Sequence, residues 1–216
     1  MRIGVFGTGE VGRTIATKLV EVGHDVRMGS RSAGNERAAA WVAEQGERAS
    51  AGTFADAAEF GEFSFNCTNG DGAVAAVTSA AGQLEGKLLI DITNPLDFSG
   101  DAPSLSVGLT DSLAEQIQRA VPGAAVVKTL NTVNSDVMVN PALVTGEHVA
   151  FVCGNDATAK ARTVAVLGEF GWPSTRVIDL GDLTGARATE AYVLAWVRMM
   201  GWVGNAHFNI EVHREA

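Results

Sequence analysis

The segment Ile3–Gly12, which reads IGVFGTGEVG, decides the fold of this chain. Its first four residues form an apolar run that predicts a buried strand, and a helical pattern begins at Val11, within the glycine-rich stretch. A strand that leads through a glycine-rich turn into a helix lets the backbone approach a phosphate group, whose charge is stabilised by the free N–H groups of the helix start. The segment therefore predicts a dinucleotide-binding turn, formed by Gly7, Thr8, Gly9, Glu10, Val11 and Gly12.

The end of the second predicted strand, Val26–Gly29, indicates which dinucleotide is bound. An acidic residue at this position would accept hydrogen bonds from the ribose of NAD and repel the additional phosphate of NADP. The chain has Ser30 and Arg31 here, and its nearest acid, Asp25, lies at the other end of the strand. Because a hydroxyl can donate to phosphate and a guanidinium can bind it in a planar fork, these residues favour NADP(H) over NAD(H).

Further short apolar runs alternate with helical patterns along the chain. The predicted strands are Ile3–Phe6, Val26–Gly29, Phe63–Cys67, Leu88–Ile92, Ala125–Leu130, Val149–Cys153 and Arg176–Leu180. The predicted helices between them are Val11–Val22, Asn35–Gln45, Gly72–Ala81, Ser112–Ala120 and Ala157–Phe170. Uniformly apolar strands are covered on both faces, so the pattern predicts an α/β fold with a doubly wound, mostly parallel sheet over residues 1–180.

Residues 181–216 are expected to form a small C-terminal appendage. A long helix is predicted over Ala186–Gly204, with one strongly apolar side that includes Tyr192 and Trp196. The alternating apolar residues Phe208, Ile210 and Val212 then suggest a short closing strand. We expect the aromatic residues of the helix to pack against the main domain or against a second subunit.

Polar residues follow three of the predicted strands. Ligands of doubly wound sheets bind beyond the carboxyl ends of the strands, where these residues would meet. They are Thr68-Asn69-Gly70, Thr93-Asn94-Pro95 and Asn131-Thr132-Val133-Asn134-Ser135. We expect Thr68, Asn69 and Asn94 to contribute to nucleotide binding, and Asn94, Asn131 and Thr132 to line the place of reaction.

Composition excludes several classes of partner. With a formal net charge of -9 and a pI near 4.9, the chain lacks the basic face that nucleic acids and anionic membranes require. Cys67 and Cys153 end apolar runs, which predicts buried, unreactive thiols. The apolar stretch Ala191–Gly204 is too short to span a bilayer and is interrupted by Arg198. Without a leader-like start, we expect a cytoplasmic protein.

The groups that most dehydrogenases use to move a proton are scarce. Tyr192 is the only tyrosine and is followed four residues later by Trp196, which excludes a Tyr-x-x-x-Lys arrangement. Lys128 lies inside a strand, where we expect it to pack or to extend toward the surface, and Glu10 is expected to point to solvent. No histidine cluster or metal motif is present. This composition suits hydride transfer to an acceptor whose own chemistry carries the reaction.

Five segments of the chain, including the glycine-rich turn and the end of the second predicted strand, resemble the F420-dependent NADP oxidoreductases. Members of this family are NADPH-dependent reductases of the deazaflavin coenzyme F420. The resemblance implies a Rossmann domain with a small C-terminal part, a homodimer and reversible hydride exchange between NADP(H) and coenzyme F420. By position, Thr8, Ser30 and Arg31 would hold the nucleotide, while Asn35 replaces a lysine of archaeal members and Arg37 would reach the same phosphate. Asn131 and Thr132 would face the deazaflavin. The matching segments are Gly7–Gly12, Gly23–Val26, Gly29–Arg31, Val126–Thr132 and Phe208–Ile210.

Two other functions fit the same residues. The chain can be an NADPH-dependent reductase of another small acceptor, such as a carbonyl, an imine or a metal complex, with the proton supplied by solvent or by a bound acid. It can also be an NADP(H)-binding sensor that changes its partner or oligomeric state without performing chemistry.

Overall fold

Strands and helices alternate along the chain in the computed structural model, which describes residues 1–215. The strands are β1 (Arg2–Phe6), β2 (Asp25–Ser30), β3 (Ala49–Thr53), β4 (Phe63–Asn66), β5 (Leu88–Asp91), β6 (Leu96–Asp97), β7 (Ser104–Leu105), β8 (Ala125–Thr129), β9 (Ala150–Gly154) and β10 (Val177–Asp179). The α-helices are α1 (Glu10–Glu21), α2 (Glu36–Gln45), α3 (Phe54–Phe60), α4 (Gly70–Thr78), α5 (Ala81–Leu84), α6 (Leu113–Ala120), α7 (Ser135–Val139), α8 (Ala157–Glu169) and α9 (Ala186–Val203).

Eight strands form one sheet in the order β10-β9-β8-β5-β4-β1-β2-β3. All neighbouring pairs are parallel except β8 and β9, which confirms the predicted doubly wound, mostly parallel Rossmann-like sheet. The strand order reverses between β1 and β4, and such a reversal opens a ligand-binding crevice at the carboxyl ends of the strands. The glycine-rich turn after β1 lies at this position.

The core occupies both faces of the sheet. Alternate residues of β1 belong to different clusters: Ile3 and Val5 pack on one face with Trp41, and Phe6 packs on the other with Phe54. Because successive side chains of a strand point to opposite faces, this alternation requires helices on both sides. The prediction that the strands are covered on both faces is therefore confirmed.

Six short elements were missing from the sequence prediction: β3, β6, β7, α3, α5 and α7. The edge strand β3 is short of apolar residues, and α3 follows it immediately, started by a capping box in which Thr53 and Asp56 bond each other's backbone N–H groups. The five-residue helix α7 is also new. These elements are short and lack the periodicity from which longer ones are recognised.

The predicted closing strand at Phe208, Ile210 and Val212 is wrong, because the described residues after α9 form no strand. Ile210 contributes a single backbone hydrogen bond, accepted from Val149 N at 3.1 Å. Phe208 stacks on Trp196 with ring centroids 5.2 Å apart. Packing of Phe208 on α9 and a hydrogen bond from Asn209 Nδ2 to Val149 O at 2.8 Å therefore place this segment, where the alternation had suggested a sheet. Among residues 1–215, no helix combines the length and apolarity needed to cross a bilayer.

Candidate active site

The glycines of the turn after β1 serve two different purposes. Gly7 has a φ of 111°, and a Cβ on Gly12 would lie 2.2 Å from the Gly7 carbonyl oxygen, so both positions require glycine for close packing of the turn. A Cβ on Gly9 would meet nothing within 4 Å. Gly9 precedes α1 and provides no side-chain cap, which leaves the first N–H groups of the helix open. This open cradle fits the phosphate groups of a dinucleotide.

A cleft of about 570 Å³ runs along α1 from this turn. Thr8, Gly9 and Glu10 line its inner end, and Arg13 and Arg37 add two guanidinium groups. The predicted nucleotide residues Thr8 and Arg37 are thus brought together. Asn35 has a different place, since its Oδ1 accepts a hydrogen bond from Ala38 N at 3.0 Å and caps α2.

The end of β2 is tied to the same turn, because Gly7 N donates to Gly29 O at 2.9 Å. Ser30 is buried, and its hydroxyl donates to Ser32 O at 2.6 Å, so it shapes the loop that carries Arg31. Arg31 is exposed and forms no ion pair with any residue in the described part of the chain. Its guanidinium is accordingly available to a phosphate beside the turn.

A second cavity, of about 310 Å³, opens at the carboxyl ends of β4, β5 and β8, and we call it the acceptor cavity. Thr68, Asn69, Asn94 and Asn131 come from the three predicted polar loops and line it together. Other lining residues belong to elements far apart in the sequence; they include Glu10, Val11, Phe98, Ser135, Val193 and Trp196. Glu10 lines both clefts, so the acceptor cavity adjoins the phosphate turn.

Two amides form the floor of the acceptor cavity. Asn94 Nδ2 donates to Asn131 O at 2.8 Å, and Asn131 Nδ2 donates to Asn94 Oδ1 at 2.9 Å. The residue before Asn131, Leu130, is buried and has a φ of 56°, a left-handed conformation that non-glycine residues rarely adopt. Strained backbone of this kind persists where the surrounding structure holds it and is frequent at functional sites. Thr132, predicted to line the place of reaction, is buried and lies outside the cavity lining.

Glu10 does more than point to solvent. Its Oε1 accepts a hydrogen bond from Ser135 Oγ at 3.1 Å, which joins the start of α1 to the start of α7. The expectation of a purely solvated carboxylate was therefore incomplete. The sequence analysis did not identify Phe98 and Trp196 as lining residues. Phe98 comes from the β6–β7 hairpin and Trp196 from α9, and only the aromatic side of α9 was apparent in the sequence.

A buried charge network lies behind the acceptor cavity. Lys128 Nζ donates to Asp91 Oδ2 at 2.8 Å, to Glu190 Oε1 at 2.9 Å and to the carbonyl of Thr93. Of the two alternatives expected for Lys128, extension toward the surface is wrong, because its side chain is completely buried. Burial lowers the pKa of Lys128, but Asp91 and Glu190 together outweigh burial, and the pKa is raised. The lysine is therefore a permanent cation.

The cysteines supply no nucleophile. Cys67 lines the acceptor cavity, but burial, followed by the charge of Asp91, raises the pKa of its thiol well above the ordinary value. Burial also raises the pKa of Cys153 to about 12. Both groups stay protonated at neutral pH, in agreement with the predicted unreactive thiols.

The fold and the two adjoining clefts are those of an NADP-dependent oxidoreductase. Residues 2–95 match the model of the family "NADP oxidoreductase coenzyme F420-dependent". A crystal structure of an Arthrobacter sp. FB24 protein assigned as an F420-dependent NADP-reductase is 44% identical and has a TM-score of 0.91, with 98% of this chain and 99% of that chain covered. The chain belongs to the F420-dependent NADP oxidoreductase family.

Two more distant similarities are to other reductases. The metalloreductase STEAP3 of Rattus norvegicus is 28% identical over 198 residues, which are 89% of this chain and 36% of the rat protein, so this chain spans about a third of that relative. The imine reductase of Streptomyces aurantiacus is 19% identical, with a TM-score of 0.67 over 94% of this chain and 62% of that chain.

Proposed function

We propose that this oxidoreductase transfers a hydride between NADP(H) and coenzyme F420 or a flavin-like acceptor bound in the acceptor cavity. The observation that carries the proposal is the place of this cavity, directly beside the phosphate turn and at the reversal of strand order. An acceptor there would lie next to a nicotinamide whose phosphates rest on the start of α1.

The nucleotide side is assigned to the residues around the turn. Gly9 and the open N–H groups of α1 would hold the pyrophosphate, while Arg31 and Arg37 would bind the additional phosphate of NADP. When bound, the dihydronicotinamide supplies a hydride, which carries two electrons and one hydrogen nucleus, and the acceptor takes a further proton from solvent. The protein residues bind and orient the two reactants.

The acceptor side is assigned from its lining. Trp196 and Phe98 line the cavity together with the amides of Asn94 and Asn131, and this combination suits a planar heteroaromatic ring with polar edges. Among the lining residues that the structure describes, none is a lysine, histidine, tyrosine or arginine, and Glu10 is the only acidic one. Reduction of a simple carbonyl or imine is accelerated about 10²- to 10⁴-fold by a positioned proton donor. A deazaflavin or flavin ring, which accepts hydride at carbon or nitrogen without such a donor, fits this lining better.

We also propose a homodimer. Trp202, in the last turn of α9, is 88% exposed, and Val203 beside it is partly exposed. A large exposed aromatic residue next to other apolar surface is typical of a protein interface. Light scattering of the purified protein tests this point, and a monomer that persists at all concentrations would contradict it.

The function is tested with purified protein and NADPH. Coenzyme F420, FMN, a ferric chelate and a panel of imines and carbonyls are offered in turn, and the absorbance of NADPH and of F420 is followed. Turnover with F420 or FMN supports the proposal. Turnover with the ferric chelate alone would favour a metal complex as the substrate, as the similarity to a metalloreductase suggests. Saturable NADPH binding without turnover would instead indicate a sensor.

A further inference from the structure

The network around Lys128 connects two separate segments that contribute lining residues to the acceptor cavity. On one side, Lys128 Nζ binds Asp91 and the carbonyl of Thr93, where β5 passes into the loop that carries Asn94. On the other side it binds Glu190 of α9, one turn before Val193 and two turns before Trp196, which both line the cavity. One buried ammonium group is therefore bonded to Thr93, which lines the cavity, and to the helix that carries Val193 and Trp196.

The Asp91 end of the network reaches the cavity surface through hydroxyl and amide groups. Asp91 Oδ1 accepts from Thr93 Oγ1 at 2.9 Å and from Asn66 Nδ2 at 3.0 Å. Asn66 Oδ1 in turn accepts from Thr68 Oγ1 at 2.8 Å. Thr68 and Thr93 both line the cavity, so Asp91 fixes the hydroxyls of two of its loops.

The Glu190 end fixes α9. The Glu190 carboxylate accepts hydrogen bonds from Leu113 N at 2.8 Å and from Ala114 N at 3.1 Å. Both N–H groups lie at the start of α6, where a helix provides no backbone acceptor for them. The charge of a helix N-terminus favours a carboxylate there. All three charged side chains, Lys128, Asp91 and Glu190, are essentially excluded from solvent. Removing one of these charges leaves the remaining buried charges uncompensated in a low-dielectric environment. The three side chains are therefore held in a single arrangement.

We propose that Lys128 is a positioning residue for the hydride-transfer reaction, which holds the amide floor of the acceptor cavity at a fixed separation from its Trp196 wall. Lys128 itself is buried and is not among the residues that line the cavity. Its effect is geometric: displacements of about 1 Å can change the rate of an oriented reaction by up to about 100-fold. The inference rests on the proposed function, since it requires an acceptor in this cavity.

The test compares Lys128→Met with Lys128→Gln and with the control Glu115→Gln. Gln retains a donor for Asp91 or for the Thr93 carbonyl. Glu115 also joins α6 to α9, through Arg187 at 2.6 Å, but lies outside the cavity lining. We expect kcat/KM for the acceptor to fall about 10- to 100-fold in K128M, to recover partly in K128Q and to stay within about twofold in E115Q. The Kd of NADPH should change less than about twofold in all three.

Hydrogen exchange measured by mass spectrometry gives a readout that does not depend on turnover. We expect faster exchange in residues 92–98 and 189–197 of K128M, because the tie between these segments is lost. If K128M does not fold, it is replaced by Asp91→Asn, which retains the shape of the side chain. We expect the same fall in acceptor kcat/KM and the same faster exchange in this variant.

The two proposals fail in distinguishable ways. Absence of wild-type turnover with every acceptor would overturn the proposed function, and the positioning role with it, even if hydrogen exchange reports the tie. Wild-type turnover combined with unchanged acceptor kinetics in K128M, beside a lowered melting temperature, would overturn the positioning role alone and assign Lys128 to stability.

Discussion

Asn94 and Asn131 bind each other reciprocally, with one amide donating to the backbone carbonyl and the other to the side-chain carbonyl of its partner. The pair joins the loops after β5 and β8 into one surface of the acceptor cavity. Because each amide is held by the other, both keep a defined orientation before any acceptor binds. Such preorganisation lowers the entropic cost of aligning two reactants.

Substitution of Asn94 is expected to affect both stability and acceptor turnover. Asn94→Ala leaves the Asn131 carbonyl and amide without a partner, which costs about 1–3 kcal/mol. Asn94→Asp still accepts from Asn131 but cannot donate to its carbonyl, so we expect an intermediate loss. Chemical denaturation and acceptor kcat/KM measure the two effects. Asn155→Ala, which removes a bond to Leu183 N away from the cavity, should lower stability only. Unchanged acceptor kinetics in N94A would exclude the pair from the site.

Gly9 and Gly12 are expected to respond differently to the same substitution. Gly12→Ala places a Cβ 2.2 Å from the Gly7 carbonyl oxygen and should destabilise the fold by about 1–3 kcal/mol or more. Gly9→Ala meets no protein atom, so its free energy of unfolding should change by less than about 1 kcal/mol. The new methyl group would occupy the phosphate cradle, and the affinity for NADPH and NADH should fall at least about tenfold. Calorimetry measures both quantities, and undiminished binding by G9A would place the pyrophosphate elsewhere.

Arg31 is expected to decide between the two dinucleotides. A charged hydrogen bond contributes about 1.5–3 kcal/mol, so Arg31→Ala should weaken NADPH binding about tenfold or more and leave NADH binding nearly unchanged. Titration calorimetry of both nucleotides measures this difference. The exposed Arg198 of α9 serves as the control, since R198A should leave both affinities as they are. Equal losses for NADPH and NADH in R31A would contradict a contact with the additional phosphate.

Glu10 is expected to weaken nucleotide binding in the wild-type protein. Its carboxylate lies at the phosphate turn and repels an incoming pyrophosphate, whereas Glu10→Gln retains an acceptor for Ser135. We expect E10Q to bind NADPH and NADH several-fold more tightly, with a slightly less stable free protein because an acidic residue is lost from the first turn of α1. An equal gain for both nucleotides distinguishes this effect from that of Arg31. Unaltered affinities would show that the carboxylate is out of range.

The link between α6 and α9 is expected to depend on pH. The hydrogen bond from Arg187 lowers the pKa of Glu115 below its ordinary value of 4.5, against the opposing effect of burial. A lowered folded-state pKa contributes stability that is present above the ordinary value and is lost as the pH falls through the folded-state value. Glu115→Gln should therefore lower the melting temperature at neutral pH, and the difference from wild type should shrink below pH 4.5. The exposed Arg13–Glu44 pair provides the control variant Glu44→Gln, which should change the melting temperature little because exposed ion pairs contribute little to stability.

Most strands of the main sheet and the long helices were predictable from the sequence, because both have apolar patterns that extend over several neighbouring residues. The short elements β3, α3 and α7 were not, since they bury few apolar side chains. The closing strand illustrates the opposite error. Its alternation is real, but Phe208 is held by Trp196, which no local pattern indicates.

The sequence alone predicted the glycine-rich turn, NADP(H) as the nucleotide and the three polar loops, because each prediction depends on residues that are close together along the chain. Tertiary structure decided which of these loops face one another, how Glu10 meets Ser135, and that Lys128 lies buried between Asp91 and Glu190. These contacts join residues from distant segments, and their energy depends on burial and on the approach of charges. Neither quantity exists until the chain has folded.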